Sequence, residues 1–267
     1  MVGLSHYFSR RQQAFWQVDV PYFVKEPVKG EKITARVSNG LEEVIMELSP
    51  KEPPVAGLNY LTWKLDETIH RLPGSWINEE SRGIPVLPGQ YKITLHYAGE
   101  SQAVYQEVIA DPRFDFDAKI DVELYQFQKS LNRIRLELVT VLNELSDQKR
   151  SLNRLIESLG ETEHQALSNE AKALTKEIEQ LQYKVLGQPV GKQVGAWQTF
   201  EVTLAKKIRE AERKFMSSHQ LPSDQEKELI TQSSQMLQEF LGSFFTYLGD
   251  HWRPFEAKVS ELKVDWK

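Results

Sequence analysis

The chain has 267 residues, 40% hydrophobic and 27% charged, with a formal net charge of −5. That size and balance suit two modest folded domains rather than a disordered chain, and the acidic surplus argues against non-specific nucleic-acid binding, which needs clustered positive charge. It has no cysteine, which excludes disulfides, thiol catalysis and cysteine metal sites.

The first residues, Met1 to Arg11, lack the basic-then-apolar order of a signal peptide. No apolar run approaches the ~20 residues of a membrane helix, so no membrane insertion is expected. Tyr7, Phe8, Phe15 and Trp16 crowd the start. Four large aromatics there form a patch that soluble monomers avoid, so they are expected to be an interaction surface. The abrupt start reads as a chain cut from a longer protein, or one that has lost its N-terminal part.

Short alternating runs follow. Lys32 to Val37 is a predicted strand, and Asn39-Gly40 behind it suits a tight hairpin turn to a return strand over Val44 to Leu48. Pro50, Pro53 and Pro54 exclude a central strand there. Leu58 to Leu65 alternates again, and residues 66–87 read as a long irregular excursion. Pro88-Gly89 turns the chain into Gln90–Tyr97, with Tyr91, Ile93 and Leu95 on the inner face. Gly99 makes a hairpin to Val104–Ile109. Six or seven strands without helical pattern predict an Ig-like (fibronectin type III-like) sandwich with an N-terminal extension over residues 1–113.

The apolar period then changes once, from two to about 3.6, across Asp111-Pro112-Arg113. Pro112 and the short linker are expected to hold the halves together. Asp117 is a predicted N-cap for a helix of roughly 40 residues, with Phe127, Leu131, Ile134, Leu138, Leu142 and Leu145 on one stripe. A second helix carries Leu167 to Val185 and stops at Gly187. A third is predicted from Trp197 to Phe215, and a fourth opens at Pro222-Ser223-Asp224 and is interrupted near Pro254. The fold class is therefore α+β in two modules, with an antiparallel bundle of about four helices over residues 114–267.

Candidate chemistry is sparse. The loop over 66–87 offers His70, Trp76 and Arg82 as a ligand-binding set, but a flap anchored by Trp76 is the favoured reading, because a loop this long needs an anchor. Asp111 and Asp115, with Asp117 and Asp121, are the best metal candidates, but they lack the glycine and close spacing of a calcium loop, so no metal is expected. Glu79-Glu80 could imitate a glycosidase pair, but adjacent residues do not normally flank a substrate. The six histidines are dispersed, and no phosphate-cradling loop, dinucleotide fingerprint or nucleophile elbow occurs. Lys206 to Lys214 reads as a solvated helix face. No cofactor and no catalytic residue are assigned.

The order Ala56-Gly57-Leu58-Asn59, Trp63-Lys64-Leu65, Pro88-Gly89-Gln90-Tyr91, Asp111-Pro112-Arg113 and then a long helix, through Pro222 and Trp252-x-x-Phe255, resembles the C-terminal region of bacterial sortilin-like, BNR-repeat "glycosyl hydrolase" proteins. In that family a β-propeller precedes an Ig-like module and a helical tail. This chain has no propeller repeat, so the resemblance transfers no catalytic residue. It implies a non-catalytic accessory region of a larger extracytoplasmic protein (periplasmic, cell-surface or secreted). The implied partners are its own missing propeller or another protein. A carbohydrate-binding module using the 66–87 aromatics is the alternative, and a glycoside hydrolase the second.

Overall fold

The computed structural model describes residues 2–4, 17–50, 52–73, 83–110, 117–159, 165–187, 202–215 and 221–261. It is an α+β chain of two compact units, Met1–Ile69 with Ile77–Lys129 and His70–Trp76 with Ser130–Lys267. The expected module boundary at 113/114, and the Pro112 hinge, lie outside the described residues.

In the first unit, β1 (Val2–Leu4), β9 (Glu100–Ala110), β8 (Gly89–Tyr97), β3 (Thr34–Ser38) and β4 (Val44–Leu48) form a five-stranded sheet in that order. A second sheet pairs β2 (Val18–Val24) with β5 (Gly57–Trp63), and a third pairs β6 (Asp66–Glu67) with β7 (Ile84–Pro85). The first two sheets share one core: Val18, Val20, Leu61 and Trp63 meet Ala35, Val37, Ile45, Tyr91, Ile93 and Val108. Trp63 is sealed at its centre, its ring 5.3 Å from that of Tyr91. Its indole Nε1–H donates to the Asp66 carbonyl at 2.9 Å.

Several expectations need correction. A strand not among those predicted, β2, precedes them, with Val18, Val20 and Val24 all buried. The turn after β3 does not place its positive φ at Asn39-Gly40. Asn39 instead caps a longer loop, its Oδ1 accepting from the N–H groups of Leu41 and Glu43, and the left-handed residue is Glu42 at φ 60°. The strand predicted to Leu65 ends at Trp63, because Leu65 takes φ 54° and redirects the chain into β6. The 66–87 excursion therefore starts and ends in a small sheet. The Gly99 hairpin stands as expected, with Ala98 and Gly99 both left-handed at 50° and 82°, as a two-residue type I′ turn requires.

The second unit is helical. Its α1 (Ala118–Ser158) opens at Asp117, whose side chain accepts from the N–H groups of Lys119 and Ile120; residues up to Lys129 count with the first unit. Leu131, Ile134, Leu138, Leu142 and Leu145 are buried as the stripe predicts. The next helix is α2 (Gln165–Leu186), followed by Gly187 at φ 89°, where a Cβ would be strained. The third, α3 (Leu204–Phe215), starts later than Trp197. Val202 and Thr203 are not helical, and Trp197 and Phe200 lie outside the described residues. A capping box of Ser223 and Glu226 starts α4 (Asp224–Tyr247). The expected interruption near Pro254 is a π-helical turn, Leu248–Trp252, before α5 (Arg253–Glu261). Pro254 cannot donate to the carbonyl four residues back, and the widened turn, with the Arg253 N–H on the Leu248 carbonyl, absorbs the mismatch.

Replacing Tyr91 by Ala should cost about 3 kcal/mol or more, since the ring fills the core against Trp63 and its hydroxyl donates to the Leu87 carbonyl at 2.7 Å. Urea unfolding checks this, and a loss below about 1 kcal/mol would contradict the packing.

Candidate functional site

Three places outside the ordinary apolar core concentrate chemistry. The first is a surface. In β2 and β5 the residues facing away from the core are Asp19, Pro21 and Phe23 against Thr62, Tyr60 and Leu58, with Phe23 opposite Leu58 and Pro21 opposite Tyr60. Phe23 is 73% exposed, Leu58 58% and Tyr60 59%. Strand alternation alone puts these side chains outward, because their neighbours Val20, Leu61 and Trp63 are needed inside. The polar end of the strip is tied together, Thr62 Oγ1–H donating to Asp19 at 2.7 Å.

The second place lies in the first unit. Asp66 and Glu67 on β6 are both buried. The Asp66 carboxylate accepts the Gly83 N–H at 2.7 Å. Gly83 is obligatory here, since a Cβ would stand 1.7 Å from the Glu67 carbonyl oxygen. Glu67 accepts from the Tyr125 hydroxyl and, at 2.6 Å, from Lys129 Nζ, both on α1. Burial raises the Tyr125 pKa, reinforced by its bond to Glu67. Tyr91 is pushed up to about 12, by burial first and by Glu67 second. Neither phenol is poised for proton transfer near neutral pH.

The third place is in the second unit. Arg135 on α1 and Glu212 on α3 are 3% and 2% exposed. Arg135 Nε–H donates to Glu212 Oε1 at 2.6 Å. Burial lowers the Arg135 pKa and Glu212 opposes the shift. Around this pair, the His70 N–H donates to Asn132 Oδ1 at 2.8 Å, and Arg209 Nη2 donates to the Pro73 carbonyl at 2.9 Å. Burial, then the charge of Arg135, lowers the His70 pKa, so its imidazole is neutral at pH 7.

Of the residues proposed for ligand binding, His70 is therefore in a polar cluster, while Trp76 and Arg82 lie outside the described residues. So do Asp111 and Asp115 and the N-terminal aromatics Tyr7, Phe8, Phe15 and Trp16. Among the described residues no three His, Cys, Asp or Glu side chains could hold one metal ion. No described helix is long and apolar enough to cross a membrane. The segment from Lys206 is not simply a solvated face, because Glu212 turns inward to Arg135. The available signal was a charge next to each apolar stripe, Arg135 beside Ile134 and Glu212 beside Ala211. Compared with protein-family models, curated proteins and solved structures, the chain matches none.

Replacing Glu212 by Leu strands a buried guanidinium and should cost about 3–5 kcal/mol in urea unfolding, whereas Arg135→Leu with Glu212→Leu should recover most of it. A double variant as unstable as the single one would show the charges to be indispensable. The tyrosine shift sets a second expectation. The Tyr91 pKa is raised on folding to about 12 from an ordinary value of 10.0. Its contribution is therefore complete below pH 10 and lost as pH rises towards 12, where only the unfolded chain ionises freely. Unfolding free energies measured between pH 8 and pH 12 should fall in that upper window, and a Tyr91→Phe variant should fall less steeply.

Proposed function

We propose that the chain is a non-catalytic accessory region that makes protein contacts. In detail it is an Ig-like sandwich followed by an antiparallel helical bundle, serving a larger extracytoplasmic protein of the sortilin-like kind. The sandwich reading is supported by the single core shared between the five-stranded and two-stranded sheets. The bundle reading is supported by the order of the interhelical pairs. Ser146 with Gln182 is followed by Lys149 with Glu179, and Glu177 with His251 is matched by Glu170 with Lys258, so sequence rises on one helix as it falls on the other.

The observation that carries the function is the outer face of β2 and β5. Phe23, Leu58, Tyr60 and Pro21 form two adjacent cross-strand pairs of apolar side chains left in solvent. Isolated exposed apolar residues are ordinary, but a contiguous patch marks a contact. Its occupant is a protein surface, and the propeller of the resembled family is the one the reading names. Phe, Leu and Pro give an apolar contact that excludes water and offers a sugar few hydroxyl partners. One observation favours the carbohydrate reading, namely that exposed Tyr60 lies beside the Asp19–Thr62 polar pair.

Calorimetric titration with a recombinant sortilin-like propeller separates the two. Saturable binding that weakens roughly tenfold or more in Phe23→Asp, with the melting temperature unchanged, is expected. Saturable binding of a glycan that is lost in Tyr60→Ala, with no propeller binding, would replace this reading by the carbohydrate one.

A further inference from the structure

We propose that a second copy of this chain docks antiparallel on the open edge of β9, about a two-fold axis at Ala103. The two edges of the five-stranded sheet differ. On β4 the Thr68 N–H donates to the Ile45 carbonyl at 2.9 Å and covers part of that edge. On β9, strand β1 reaches only Val108 to Ala110, and among the described residues no strand pairs with Glu100 to Glu107 on that side. A bare edge of this length is a template for another chain unless it is blunted. Here no proline, lysine or arginine stands from Glu100 to Ala110, and the register with β8 runs one-to-one from Gly89–Val108 to Tyr97–Glu100, without a bulge.

The occupant follows from the length and chemistry of the edge. Tyr97 and Glu100 flank a two-residue turn and form a hydrogen-bonded pair, so ladder alternation turns the N–H and C=O groups of Ser101, Ala103 and Tyr105 away from β8. Beyond them Gln106 Nε2–H donates to the Glu107 carbonyl at 2.8 Å, and Val2 lies beside Val108. The open stretch therefore runs from Glu100, after the turn, to Gln106, and its midpoint is Ala103. An antiparallel copy centred there sets Ala103 against Ala103 and Ser101 against Tyr105, all with backbone groups facing outward to bond. Gln102 then meets Val104, with the two Val104 side chains diagonal to each other on one face, and Glu100 meets Gln106. No like charges stand opposite, so the edge is complementary to itself. Glu100 to Tyr105 are all exposed, Tyr105 at 69% and Val104 at 45%, and no side chain has to be displaced.

The test is analytical ultracentrifugation of the full chain from about 1 to 500 μM, where a monomer–dimer equilibrium is expected. Ala103→Pro removes an outward N–H and leaves the β8 ladder whole, so it should abolish the dimer with the circular dichroism unchanged. Ala103→Lys sets two lysines face to face and should weaken the dimer roughly fivefold or more, as should Ala103→Glu. An equimolar mixture of those two variants should recover it as a heterodimer, which a damaged strand could not do. A chain that stays monomeric throughout overturns the proposal. So does a dimer unmoved by Ala103→Pro, and so does a Lys–Glu mixture that remains monomeric. Phe23→Asp should leave the dimer intact. Loss of the dimer in that variant would move the contact to the β2–β5 face and overturn the β9 edge, without touching the propeller-binding result.

Discussion

A buried carboxylate constrains the first unit more than any other single group. Glu67 stands on a two-residue strand with almost no access to water, and a charge so placed must be partnered. Its partners come from α1, where Tyr125 and Lys129 are one turn apart and reach the two oxygens from the same helix face. Glu67 in turn depends on its neighbours. Trp63 holds the Asp66 carbonyl, Asp66 holds the Gly83 N–H, and the Glu67 carbonyl leaves no room for a side chain at Gly83. The small β6–β7 sheet survives at two residues a strand because these polar bonds, and not its ladder, fix it.

The second unit solves a similar problem with less closure. Its apolar stripes make a helical core of the expected kind, with Leu138, Leu145, Leu152, Ile178 and Phe255 sealed. Beside the stripes, Arg135 and Glu212 share one short bond, and among the described residues Glu212 Oε2 is buried without a hydrogen-bond partner. Interiors rarely tolerate such groups, because each forfeits its bonds to water without replacement. Where the first unit uses both oxygens of its buried glutamate, the second uses one.

The β2–β5 face and the Arg135–Glu212 cluster have opposite properties. The β2–β5 face is apolar, open and formed by ladder alternation, so it needs no special geometry to exist. The arginine cluster is polar, enclosed and assembled from segments far apart in the chain.

Much of the architecture could be read in the residues. The change of apolar period, the Asp117 cap, the Pro222-Ser223-Asp224 start and the inward Tyr91, Ile93 pair are local patterns, and local patterns survive folding because backbone geometry alone enforces them. The carbohydrate, metal and interaction candidates were chosen for residue type in loops, and most fall outside the described residues. What the sequence by itself determined is which residues must be inside and on what repeat. Only the tertiary structure decided that Glu67 meets Lys129, that Arg135 meets Glu212, that Asp66 pairs across a loop, and that Phe23 stands opposite Leu58. Those meetings join residues from 17 to 77 positions apart, and a charge buried by long-range packing carries no periodic signal for a sequence to display.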